Sequence, residues 1–435
     1  MPLSRRHFLQ GSSVLAAAAP AKPFAANDRI QVGVIGAGAR SHELMQSLMS
    51  VQGAEIVGVV DAYQGRVERA LERVGKKAKP YASHGELLAD PSIDAVVIAS
   101  PDHWHKAMVI QAVQSGKDVY CEKPLTYRAE EGMEIVHAAR NAKRIVQVGS
   151  QGVSSVTQLK AREMIRAGRL GKVTIIRAAY NRNTASGAWI YPIPPDASPA
   201  TVNWDAFLGP APKRPFSLER FFRWRCYEDY SGGIATDLFV HLCTTIHFLM
   251  DAKAPGKVMA MGQLYRWTTS RDVPDTLNAI LEYPEGFAVN LSSTFNNQLS
   301  EGGGFQILGT EGSITLGDGL TFHAENAVED NRWIVESWPS RLQQEYYKDP
   351  KVRESEMPAT RKPRLKAGTE QFRAQGAEAT FSHMTNWVSA MRTRKPPYED
   401  ALTGHRAAAC AHMVNLSSKQ KRMVEWDFLN EGIKT

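Results

Sequence analysis

The passage that most constrains the fold runs from Ile30 to Gly38, Ile-Gln-Val-Gly-Val-Ile-Gly-Ala-Gly. A mostly apolar, β-branched run leads directly into two glycines one residue apart, and a helical pattern from Ser41 through Met49 follows. A strand buried on both faces reads as a continuous apolar run, and a parallel neighbour can be reached only through a long crossover such as a helix. The passage therefore predicts the opening of a βαβ unit. In such a unit Gly36 makes the tight turn, Gly38 lets the backbone approach a pyrophosphate, and the helix beginning near Ala39 and Arg40 adds its positive end. Ser41 occupies the place of the third fingerprint glycine, so a small hydroxyl residue must serve the helix–strand packing there.

The alternation continues. Strands are expected at 55–60, 95–99, 118–121 and 145–148, with helices at 64–74, 85–88, 106–114 and 130–141. Strands alternating with helices predict a parallel sheet with right-handed crossovers. Asp61 ends the second strand 23 residues after Gly38. An acid there accepts hydrogen bonds from a ribose and repels a 2′-phosphate, which favours NAD over NADP. Arg40 is the opposing signal, because a guanidinium near that ribose is able to hold a phosphate.

After about residue 150 the pattern changes to longer alternating stretches at 173–180, 257–264, 276–283, 288–295, 304–308 and 312–316. Turns such as Tyr283-Pro284-Glu285-Gly286 separate them. This predicts an antiparallel sheet with one face covered by helices, the clearest at 159–167 and 234–250. Residues 321–372 are polar and charge-rich and read as an insertion or long surface loop. Helices are expected again at 380–391 and 404–419, in a C-terminal helical part spanning 376–435. The fold class is therefore α/β. An N-terminal Rossmann dinucleotide-binding domain covers 27–150, and a C-terminal α/β domain with a large, mostly antiparallel open sheet covers 151–435. An open sheet face favours a homo-oligomer.

Hydrophobic residues make up 43% and charged residues 22% of the 435, which excludes a disordered, collagen-like or multi-span membrane chain. The formal charge of +7 points toward anionic partners until it is located. Residues 1–26 hold Arg5, Arg6 and Lys22 and no acid. Ser4-Arg5-Arg6-His7-Phe8-Leu9-Gln10 precedes a small apolar run from Gly11 to Ala19, too short to span a bilayer. The order is that of a secretory signal, and the arginine pair before Phe-Leu resembles a twin-arginine export signal. This predicts the twin-arginine machinery as a partner and a periplasmic or secreted location. Ala19-Pro20-Ala21 offers a cleavage point, with cuts in the alanine run or near Ala25 and Ala26 left open. Without these residues the charge is +4, carried by scattered Lys and Arg, which makes no case for nucleic acid. Cys121, Cys226, Cys243 and Cys410 match no zinc spacing and read mainly as reduced core residues.

Two further loops follow strands of the first half, Ser100-Pro101-Asp102-His103-Trp104-His105 and Cys121-Glu122-Lys123-Pro124. His103 and His105 have no third ligand at a telling spacing, so no metal is expected. Together with Val148-Gly149-Ser150-Gln151, Gly232-Gly233, Asp237-x-x-x-His241 and the Pro396 to His405 stretch, these motifs resemble the glucose–fructose oxidoreductase, inositol dehydrogenase and MocA family. The resemblance extends over the chain after residue 26 apart from 321–372. It implies NAD contacted by Gly36, Gly38, Ala39, Arg40, Asp61, Ser100, Pro101, His105, Glu122, Lys123 and Gln151, and the expected export to a compartment with little free NAD implies that the cofactor is tightly held. It also implies catalysis by Lys123 with Asp237 and His241 opposite the nicotinamide. A lysine in a partly dry cleft beside a cationic ring loses proton affinity, which suits it to take a proton from a hydroxyl. Asp237 and His241, four apart on a helix, share a face, whereas His247 points elsewhere and reads as structural. Tyr180, Arg182, Arg223 and Trp224 are the candidate contacts to a small carbohydrate substrate.

Three functions remain open at this stage. The leading one is hydride transfer between NAD and a hydroxyl of a sugar, glycoside or cyclitol. The second is glycoside cleavage through a transient keto-sugar, with NAD regenerated in each turnover. The third is a non-catalytic NAD-binding sensor, against which the presence of Lys123 and His241 argues.

Overall fold

The computed structural model describes residues 29–434 apart from 76, 300–303, 318, 326–330, 357–367, 374 and 377. The export-signal reading of residues 1–26 lies outside the described residues.

Six strands, β1 (Ile30–Ile35), β2 (Ala54–Val60), β3 (Lys79–Pro80), β4 (Ala95–Ile98), β5 (Asp118–Glu122) and β6 (Val146–Gly149), form one sheet in the order β3-β2-β1-β4-β5-β6. Every pairing in it is parallel. The order reverses between β1 and β4, and ligands of such sheets bind outside the carboxyl ends of the strands at that switch point. Gly36, Ser100 and Lys123 all follow strand ends there. One face of the sheet packs under the helices His105–Gln114 and Glu131–Ala142. The other packs under Ala39–Met49 and, unexpectedly, under Ala379–Thr393 from the far end of the chain. Met384, Trp387 and Val388 of that last helix are buried with Val32 and Val34, and Trp387 meets Tyr120 edge-on at 5.6 Å. Chain order groups this helix with the second domain, but its apolar face belongs to the first.

Ten strands build the second sheet: β7 (Val173–Ala179), β8 (Lys257–Gln263), β9 (Thr276–Tyr283), β10 (Phe287–Thr294), β11 (Phe305–Gly309), β12 (Gly312–Leu316), β13 (Leu320–Ala324), β14 (Thr369–Phe372), β15 (Val424–Asp427) and β16 (Gly432–Ile433). Their order is β14-β13-β12-β11-β7-β10-β9-β8-β15-β16. The pairings are antiparallel except β7 with β10, so the sheet is mixed. Leu277, Ala279, Leu281 and Tyr283 on β9 turn inward in strict alternation, the signature of a sheet covered on one side. Residues of the helices Val240–Met250 and Ala401–Gln420 share their core. The opposite face is open and presents Met259, Met261 and Ile280.

Residues 321–372 are not a plain loop. Residues 321–324 belong to β13 and residues 369–372 form β14, the two pairing antiparallel at the sheet edge, with short helices Arg332–Val335, Ser340–Tyr346 and Pro350–Glu356 between them. β14 is largely exposed and polar, so it carries no inward apolar pattern to read. The helix at 234–250 is also corrected: a wide π turn, Ala235–Phe239, precedes the regular helix Val240–Met250. His247 is structural, buried with Nε2 3.0 Å from the Tyr283 hydroxyl. All four cysteines are buried and free.

Candidate active site

A cleft of about 720 Å³ lies between the two domains. At its nucleotide end, Gly36 takes φ +85°, and a Cβ there would sit 2.7 Å from the Ala99 carbonyl oxygen, so only glycine makes this turn. The turn is locked by Asp61: the Ala37 N–H donates to Oδ2 at 2.7 Å and the Tyr63 N–H to Oδ1 at 2.9 Å. The Arg66 guanidinium is 3.7 Å from the same carboxylate and 5.3 Å from the ring centroids of Phe221 and Phe222. Arg40 donates from Nε to Glu122 Oε1 at 3.0 Å and also pairs with Glu43. Two carboxylates thus engage the guanidinium, which weakens the case for Arg40 as the holder of a 2′-phosphate. Ser41 is fully buried, as the packing role of the missing third glycine requires.

Gly36, Gly38, Ala39, Arg40 and Asp61 all line the cleft, as do Ser100, Pro101, Glu122, Lys123 and Gln151. Gln151 donates to Glu122 Oε1 at 2.8 Å and to the Tyr120 hydroxyl at 2.5 Å, which fixes the floor of this end. The Ser100 hydroxyl is buried at the cleft wall without a hydrogen-bond partner. An orphaned hydroxyl beside a glycine cradle and a strand-end acid fits a dinucleotide. His105 is the exception. Its Nδ1 lies 2.6 Å from the Pro124 carbonyl and its Nε2 2.9 Å from that of Ser100, so it braces the two loops from behind and does not face the cleft. His103 likewise turns its Nε2 to the Phe207 carbonyl at 2.9 Å.

At the other end, the Lys123 ammonium donates to the Asp237 carbonyl at 2.7 Å and to Asp237 Oδ1 at 2.9 Å. Arg225 Nε donates to the same Oδ1 at 2.9 Å. Burial alone would push the Asp237 carboxyl up, but Lys123 and Arg225 together outweigh it and hold the group well below the usual range. Asp237 sits in the π turn, and such turns concentrate at functional sites. Burial, with help from Lys123, lowers the His241 imidazole to about 3, so it is neutral near pH 7. Asp102 is buried beside this group, and burial pushes its carboxyl up to about 7 against the pull of Arg225.

The substrate assignments divide. Arg182 and Trp224 line the cleft. Tyr180 and Arg223 do not: Tyr180 is solvent-exposed, and Arg223 donates to the Tyr191 carbonyl at 2.9 Å and pairs with Glu219. The three-residue turn Trp224–Cys226 carries Arg225, not Arg223, into the site, with its guanidinium 4.3 Å from the Trp224 ring centroid. Sequence reading also missed Asp102, Trp189 and Tyr191. Asp102 lies in the Ser100 to His105 loop that follows β4. Trp189 is fully buried at φ +64°, an uncommon conformation for a bulky residue, and nothing in its neighbours announces that.

A Rossmann cleft closed by an open-sheet domain, with a lysine–aspartate pair spanning the two, defines a two-domain dinucleotide-binding oxidoreductase architecture. The chain belongs to the Gfo/Idh/MocA oxidoreductase family. Residues 30–150 match its NAD-binding Rossmann fold and residues 162–426 its C-terminal alpha/beta domain. It is 33% identical over 178 residues to inositol 2-dehydrogenase 1 of Saccharopolyspora erythraea, covering 40% of this chain and 52% of that one. The match thus spans about half of that relative. An inositol 2-dehydrogenase/D-chiro-inositol 3-dehydrogenase of Shouchella clausii is 25% identical over 73% of this chain and 80% of its own. A levoglucosan dehydrogenase solved with NADH and levoglucosan has the same fold, with a TM-score of 0.65 at 18% identity, covering 91% of this chain and 99% of that one.

Proposed function

We propose that this chain is an NAD-dependent oxidoreductase acting on a ring hydroxyl of a sugar, glycoside or cyclitol. The observation that carries the reading is the contact of Lys123 with Asp237 across the cleft, beside a neutral His241. Bound NAD supplies the hydride acceptor or donor. An ammonium has three donors and Asp237 takes two, which leaves one N–H of Lys123 for a substrate hydroxyl. In its deprotonated form Lys123 Nζ accepts the hydroxyl proton, and the His241 imidazole holds the same hydroxyl or shares the transfer. Asp237 positions the lysine and balances its charge.

The test is direct. The purified protein is stripped of nucleotide, the nucleotide is identified, and the NAD-loaded protein is given a panel of cyclitols, sugars and glycosides. A keto product with stoichiometric NADH is expected. Free aglycone without net NADH would support the second reading, glycoside cleavage through a keto-sugar, toward which a 29%-identical stretch of a Shewanella glycosyl hydrolase family 109 protein points over 38% of its length. Bound NAD with neither product would leave the sensor reading.

We also propose export by the twin-arginine route, supported by Arg5-Arg6 before Phe8-Leu9. Retention of an Arg5→Lys/Arg6→Lys variant in the cytoplasm is the expected result. Self-association through the open sheet face is proposed from its exposed Met259, Met261 and Ile280, and light scattering decides it.

A further inference from the structure

The substrate-facing end of the cleft carries more positive charge than its own acids balance. Lys123 and Arg225 share one carboxylate, Asp237, each 2.9 Å from the same Oδ1. Arg182, on the same cleft wall, donates from Nη1 to the Gly187 carbonyl at 3.1 Å, and no acid lies within ion-pair distance of it among the described residues. Arg182, Arg225 and Lys123 line the same cleft together with Tyr191 and His241. Asp102 offsets only part of this, since burial pushes its carboxyl up to about 7 and leaves it partly protonated at neutral pH.

The nucleotide does not explain the excess. The glycine turn that takes the pyrophosphate lies on the first domain, where Arg40 and Arg66 already flank it, whereas Arg182 and Arg225 come from the second. A cation half-removed from water and lacking a counter-ion is unfavourable unless a ligand supplies one. The planar guanidinium fork matches an oxyanion, and two such forks beside the half-buried Tyr191 and Trp224 leave aromatic surface for the C–H face of a ring.

We propose that the substrate is an anionic sugar, bearing a carboxylate or phosphate that Arg182 and Arg225 hold while Lys123 addresses a ring hydroxyl. This rests on the oxidoreductase reading above and narrows its substrate class. It assigns to Arg182 the choice between a sugar acid and its neutral twin.

The test uses NAD-loaded full-length protein and matched sets: a methyl glycoside, the corresponding methyl glycuronide and the corresponding sugar 6-phosphate, in gluco, galacto and manno series. Turnover gives kcat/KM, and calorimetric titration into the NADH-loaded protein gives affinity whether or not turnover occurs. At least one anion should exceed its neutral twin by tenfold or more, and the carboxylate and phosphate arms identify which. In Arg182→Gln that ratio should fall at least tenfold, with bound NAD retained, and Arg182→Lys should restore part of it. Neutral twins turned over or bound as well as both anions would overturn the proposal while leaving the oxidoreductase reading intact. So would a ratio unchanged in Arg182→Gln, or an absence of binding by any anion. Protein that holds no NAD and oxidises nothing would instead refute the reading on which the proposal rests.

Discussion

Glu399 offers a sharp test of the packing behind the site. It is almost fully buried, and its backbone carbonyl accepts from the Val148 N–H at 2.9 Å. Oε1 accepts from the Thr244 hydroxyl at 3.2 Å, three residues beyond His241, while Oε2 has no partner. Burial pushes this carboxyl from its ordinary 4.5 up to about 8, against hydrogen bonds from Ser150 and Thr244, and the nearby Asp400 and Glu122 push it further the same way. Between those two values the unfolded chain gives up the proton and the folded chain keeps it, so stability falls as pH rises through that window. At about 1.4 kcal/mol per pH unit the loss approaches roughly 5 kcal/mol by pH 8. Glu399→Gln is always neutral and lacks this slope. It keeps the Thr244 bond but places an amide NH₂ where Oε2 finds no partner, a penalty of about 1–3 kcal/mol. The variant should therefore be the less stable protein at pH 5 and the more stable one at pH 8. Melting temperatures of both proteins, taken in parallel from pH 5 to 8.5, read the difference and cancel other titrating groups. A constant offset between the two curves would refute the argument.

Three other changes bear on the cleft. Lys123→Ala should retain NAD and lose about 10²–10⁴ in turnover, whereas parallel loss of NAD would make the lysine structural. Asp61→Ala frees the Ala37 and Tyr63 N–H groups, and NAD affinity measured by titration should fall about tenfold or more; gained NADP use with NAD affinity intact would sink the ribose-side role. Gly36→Ala forces a Cβ against the Ala99 carbonyl at positive φ and should destabilise the fold by about 1–3 kcal/mol in denaturant titration, so an unchanged midpoint would contradict the turn.

The central strands of the first sheet were legible because they are buried on both faces: Ala95–Ile98 is an unbroken apolar run, and Ile30–Ile35 is a mostly apolar one interrupted by Gln31 near its less buried start. β3, β14 and β16 were not, being two to four residues long and without a buried side chain. The destination of Ala379–Thr393 was equally hidden. An amphipathic helix declares that it has an apolar face, but not which of two sheets that face covers. In the site, motifs fixed by the backbone were readable in chain order: the glycine turn, the strand-end acid and the lysine before Pro124. Choices between neighbours were not. Arg223 and Arg225 are equivalent on paper, and only the direction of a single tight turn sends one to Glu219 and the other to Asp237. His105 has the chemistry of a site residue, yet its two ring nitrogens face the Pro124 and Ser100 carbonyls behind the cleft.

The geometry also says why Lys123 and Asp237 must be considered together. The lysine follows a strand of the first domain and the aspartate lies in a π turn of the second, so their contact exists only when the domains are docked. Asp237 holds two cations at once, and without it Lys123 and Arg225 would face each other across a poorly hydrated gap. Like charges so placed repel, so removing the carboxylate would weaken the contact between the two domains at this point. The carboxylate is thus at once the counter-ion of both cations and a contact that joins the two domains across the cleft.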